Sequence, residues 1–90
     1  MDELLVTVAE AKEYIRVDGD GEDTLISSLI LLAQQYVNNV LKWEVTAETM
    51  EPSIRLAIIL VTEHFYEERN GEDVPKAVLT LLRPYRKVGW

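Results

Sequence analysis

PSIRLAIILVTEHFYEER, residues 52–69, reads as a helix of about five turns. Pro52 suits the first turn, whose N–H groups have no helical partner. Asn70-Gly71 supplies a pair suited to a left-handed cap after the last turn. At 100° per residue, Ile54, Ala57, Ile58, Val61 and Phe65 share one face. Leu56, Ile59 and Leu60 fall on the other sides, so the first half is apolar nearly all round. A helix of that kind needs cover from several directions. In a chain of 90 residues the cover is either every other helix or a neighbouring subunit.

Upstream, Asp23 to Leu41 predicts the second long helix. Leu25, Ile26, Leu29, Ile30, Leu32, Ala33, Tyr36, Val37, Val40 and Leu41 fill one half of its wheel without a break. Opposite lie Ser27, Ser28, Leu31, Gln34, Gln35, Asn38 and Asn39, polar but without one charge in a chain that is 28% charged. A solvated helix face normally carries Glu and Lys. An uncharged polar face around a central leucine has the composition of a protein-covered surface, where charges are depleted. The plainer alternative is an exposed face that happens to lack charge. Ser27, Leu31, Gln34, Gln35 and Asn38, with Leu56 and Leu60 from the third helix, are the subunit-interface candidates.

Two short helices complete an all-α domain of four helices, with the two long ones antiparallel. Thr7-Val-Ala-Glu10 is a capping box, and Val8, Ala11 and Ile15 recur at helical spacing, giving a first helix over Val8 to Ile15. The fourth opens at Pro75, carries Val78, Leu79 and Leu82 as its stripe, and ends near Arg83 before Pro84. Lys42 to Glu51 is a connection without a pattern, either loop or short extended piece. The helical domain is expected over 1–84, followed by a short basic-aromatic tail over 85–90, Pro-punctuated and mobile in a free subunit.

Charge is divided unevenly along the chain. Residues 1–75 carry 16 acids and 5 bases, whereas 76–90 carry Lys76, Arg83, Arg86 and Lys87 with no acid, out of a net charge of −7. An acidic body argues against broad phosphate contact, which needs clustered Lys and Arg. The tail, with Arg83, Tyr85, Arg86, Lys87 and Trp90 as candidates for docking a partner, suits an acidic protein surface at least as well as nucleic acid.

The chemistry of an enzyme or metal site is not in the pattern. The chain has no cysteine and one histidine, so disulfides, thiol nucleophiles and Cys-based metal sites are excluded. His64 with Glu67 and Glu68 falls short of the three or four ligands zinc takes and of a paired di-iron set. The run Asp18-Gly-Asp-Gly-Glu-Asp23 fails as a calcium loop. With Gly21 as the turn glycine, Asp18 and Asp20 fit, but the first position is Arg16 and the twelfth Ser27. It reads instead as an acidic turn at the positive end of the second helix. No cofactor is expected. No apolar run approaches a membrane span, and MDELLV lacks the basic start of a signal peptide, so the expected setting is intracellular.

Motifs in order along the chain carry a resemblance. Thr7-x-x-Glu10-Ala11-Lys12 leads to Tyr14-Ile15-Arg16-Val17-Asp18, then to Asp23-Thr-Leu-Ile26, Ala33-x-x-Tyr36-Val37 and Ile54-x-x-Ala57-Ile58. His64-Phe-Tyr66-Glu-x-Arg69, Val74-Pro75 and Leu81-Leu82-Arg83-Pro84-Tyr85-Arg86 follow. Over about 80 residues this order resembles the head–tail connector (adaptor) family of tailed bacteriophages, also described as DNA-packaging proteins. The resemblance implies a small helical virion protein, made in the host cytoplasm, that forms a ring beneath the portal after packaging, typically of twelve copies. Its partners would be its own copies, the portal protein and the next neck or tail-completion protein. DNA would pass through without sequence-specific binding. The short stretch after Arg86 is where the sequence departs from the family, whose longer C-terminal arms make further contacts. Two other readings remain: an acidic helical regulator of antitoxin-like or adaptor type, and a DNA-binding domain acting through the basic tail. Particle association separates the first, and salt-dependent DNA retention the second.

Overall fold

The computed structural model describes residues 4–17, 19, 21–68 and 74–87. Among these the chain forms α1 (Val8–Ile15), α2 (Asp23–Leu41), α3 (Pro52–Glu67), α4 (Lys76–Leu82) and a closing 3₁₀ turn over Arg83–Tyr85. No strand is present among the described residues, and the domain is all-α as the periodicity predicts.

The two long helices pack most extensively on each other, with α1 against both and α4 chiefly against α3. They are antiparallel: the Tyr66 hydroxyl in the last turn of α3 donates to Glu22, immediately before α2. The core between them is aliphatic, built from Ile26, Ile30, Val37 and Leu41 of α2 and Ile54, Ile58 and Val61 of α3, closed by Val6, Val78 and Leu82. Buried Thr62 belongs there too, because its hydroxyl donates to the Ile58 carbonyl (2.8 Å) one turn earlier.

Local chemistry sets the helix ends. The capping box at α1 forms in full: Thr7 Oγ1 accepts from the Glu10 N–H (3.1 Å) and Glu10 Oε1 accepts from the Thr7 N–H (3.0 Å). Lys12 reaches across the acidic turn to the Gly19 carbonyl and to Asp23 Oδ1 (2.8 Å), which anchors the start of α2 to α1. Arg55 of α3 pairs with Glu10. Helices α1 and α2 end at left-handed residues that are not glycine, Arg16 (φ 66°) and Lys42 (φ 67°), with each cap N–H bonded back to a helical carbonyl.

Several expectations shift. Helix α3 ends at Glu67, with Glu68 as its cap, two residues before Arg69. The Asn70-Gly71 cap and the calcium-loop positions Asp18 and Asp20 lie outside the described residues. Pro75 precedes α4 as its cap, and Pro84 sits inside the 3₁₀ turn, where i→i+3 bonding tolerates it. The patternless stretch after Lys42 is a loop pinned at Val45, which is buried and whose N–H donates to Asn38 Oδ1 (3.0 Å).

The described part of the tail, Tyr85 to Lys87, is docked rather than loose. Trp43 Nε1 donates to the Tyr85 carbonyl (2.8 Å), and the Lys87 N–H donates to the Leu41 carbonyl (2.8 Å) at the end of α2. Half-buried Tyr85 packs against the core. An indole N–H taken from water needs an acceptor, and the Tyr85 carbonyl supplies it. Deleting residues 85–90 is therefore expected to cost about 1–3 kcal/mol, from two lost hydrogen bonds and uncovered core. A truncated protein melting with the full chain would show that this docking contributes nothing.

Candidate functional site

The uncovered part of α2 is the feature to explain. Its ten-residue apolar half-circle is wider than the arc its neighbours bury. The buried residues are Ile26, Ile30, Ala33, Gln34, Val37 and Leu41, so the core arc is rotated toward Gln34. Leu25, Leu29 and Tyr36 are left half-buried and Leu32 is 51% exposed.

With Phe65 of α3 these side chains line an open trough of about 430 Å³, with Gln35 and Asn39 on its α2 edge and Glu68 at its end. Phe65 meets Tyr36 edge-on at 6.4 Å between ring centres. Leu32 is the most exposed of these side chains, with Leu25, Leu29, Tyr36 and Phe65 half-buried around it.

The uncharged face of α2 borders a second, broader groove of about 1070 Å³. Four of the sequence-derived candidates line it: Leu31, Gln34, Gln35 and Asn38. Its walls are Leu5 on one side and the loop residues Glu44 to Glu48 on the other. Part of the reason this face lacks charge is internal. Gln34 is only 9% exposed, and its Oε1 accepts from the Leu5 N–H (2.6 Å). Asn38 holds the loop through Val45. Both amides tie down the subunit's own backbone, where a carboxylate or ammonium would meet an incomplete set of partners. Leu31 and Gln35 remain open on the ridge, half-exposed and exposed respectively.

The other candidates do not join them. Ser27 is half-exposed, and its hydroxyl donates to the Thr24 carbonyl (3.2 Å) within α2. Leu56 and Leu60 are half-exposed on α3 and line neither groove, Leu60 packing on the core. Arg83, Arg86 and Lys87 are exposed, Tyr85 is half-buried, and Trp90 lies outside the described residues. Sequence reasoning placed Leu25, Leu29, Leu32 and Tyr36 in one unbroken apolar arc and Phe65 on an apolar face, and did not mark any of them as a surface residue. The signal was present in an apolar arc too wide for the two short helices available to cover it.

Among the described residues no group of three or more His, Asp or Glu is placed to hold a metal ion. Nor is any helix there long and apolar enough to cross a membrane.

The domain is all-α, with an aliphatic core and an apolar trough left open along α2. A family model described as phage gp6-like head-tail connector protein matches residues 5–86, and the chain belongs to that family. No curated protein and no solved structure matches. The resemblance carried by the sequence motifs thus holds over nearly the whole chain. The protein is a structural component of the bacteriophage neck, and membership implies contact with portal and tail proteins.

Proposed function

We propose that the protein forms a closed ring between portal and tail, of twelve copies as the family resemblance implies. The ring extends the DNA channel and presents a docking surface to the next neck or tail-completion protein after packaging. The observation that carries this reading is one subunit bearing two unlike open faces, the α2 groove system and the basic surface running from α4 through the 3₁₀ turn. A ring is a head-to-tail assembly and needs two different complementary patches on each copy.

The charge distribution supports the same reading. Sixteen acids against nine bases give a subunit that repels a DNA backbone rather than holding it. A channel through which DNA slides needs that property. The subunit is made in the host cytoplasm and ends in the virion neck. A phage lacking this gene is expected to accumulate DNA-filled heads without tails, seen by electron microscopy of the lysate. Normal tailed particles in its absence would refute the assignment.

A further inference from the structure

The trough on α2 and α3 has a counterpart on the same chain. Helix α4 buries Val78 and Leu82 and turns Lys76, Leu79 and Arg83 outward. These three lie at i, i+3 and i+7, hence on one face, with Leu79 40% exposed between the two bases. The trough has an apolar floor with exposed Glu68 at one end. From Leu25 to Tyr36 it runs about 16 Å along α2, and a helix as short as α4 is about 10 Å long, so the one fits within the other.

We propose that the trough lined by Leu25, Leu29, Leu32, Tyr36 and Phe65 is the socket for α4 of a second copy of this chain, with Leu79 on the apolar floor and Arg83 toward the Glu68 end. This deepens the ring reading and rests on it. The two faces are different surfaces of one subunit, so the contact is heterologous and propagates from copy to copy. Apolar area supplies the adhesion, and an Arg83–Glu68 pair at the rim adds directional pairing.

The chain's lack of cysteine makes the contact directly testable. Leu32→Cys and Leu79→Cys variants of the full chain are mixed at high concentration with a short bismaleimide. The control pairs Leu32→Cys with Tyr14→Cys, a position on α1 that is 49% exposed. The expected result is a covalent dimer from the Leu32/Leu79 mixture at several times the control yield, and a ladder of oligomers from the chain carrying both cysteines. Arg83→Glu should lower the yield about tenfold, and Glu68→Arg in the partner should restore it. Equal yields for the two pairs, or a stronger dimer from Leu32→Cys alone, would overturn the socket. Sedimentation of the wild-type chain in parallel separates the two levels of the account. Oligomers that form without a preferred Leu32/Leu79 product reject this contact while leaving the neck ring standing.

Discussion

Replacing Ile58 with alanine is expected to lower the thermal midpoint by on the order of 10–30 °C, enough to leave much of the protein unfolded. Ile58 is fully buried in the middle of α3, among the side chains that join it to α2. Removing its outer carbons forfeits about 2–5 kcal/mol, the transfer term plus the cavity left behind. A small domain has only about 5–15 kcal/mol in total. Phe65→Ala is the informative comparison. On sequence grounds the two positions share a face. In the structure Phe65 is half-buried at the trough, so its truncation leaves a wider groove rather than a sealed cavity. It should cost clearly less than Ile58→Ala. Equal melts for the two variants would mean that the trough is closed in the free subunit.

The second large effect concerns assembly. Leu32→Glu is expected to fold normally, because an exposed side chain accepts a carboxylate without desolvation, yet to lose incorporation into the neck. Burying an unpaired carboxylate in an apolar contact costs several kcal/mol, which is a factor of a thousand or so in association. Leu31→Glu, on the neighbouring ridge, tests the uncharged face in the same way. Circular dichroism and melting curves check the fold, and the yield of infectious particles from a complemented deletion checks assembly. Infectivity at the wild-type level with Leu32→Glu would show that the trough stays open in the particle.

The sequence was most informative where chemistry is local. The capping box at Thr7–Glu10 and the unbroken apolar arcs bring α1 and α2 out residue for residue as expected. It was less informative about ends that depend on tertiary contacts. Arg16 and Lys42 take the left-handed conformation that glycine or asparagine would advertise, so neither cap shows in composition. Tyr85 looked like part of a loose end because its partner, Trp43, is 42 residues away.

The wheel of α2 shows what periodicity cannot settle. It separates apolar from polar but does not say how much of the apolar arc the neighbours will cover. Gln34 moved inward because the Leu5 N–H needed an acceptor, and Leu32 stayed outside because none of the described residues covers it. Four of the interface candidates came together along one groove because they shared a helix face, whereas Leu56 and Leu60 belong to a different surface. The trough itself was legible only as an excess of hydrophobic area over the helices available to bury it.

The most direct test of the ring is a cryo-electron microscopy reconstruction of the neck in phage particles that carry this protein. The expected result is a closed ring of this four-helix domain immediately below the portal, with α2 and α3 of each copy in contact with its neighbour and the channel open through the centre. Density for the domain elsewhere in the particle, or a neck built without it, would contradict the account.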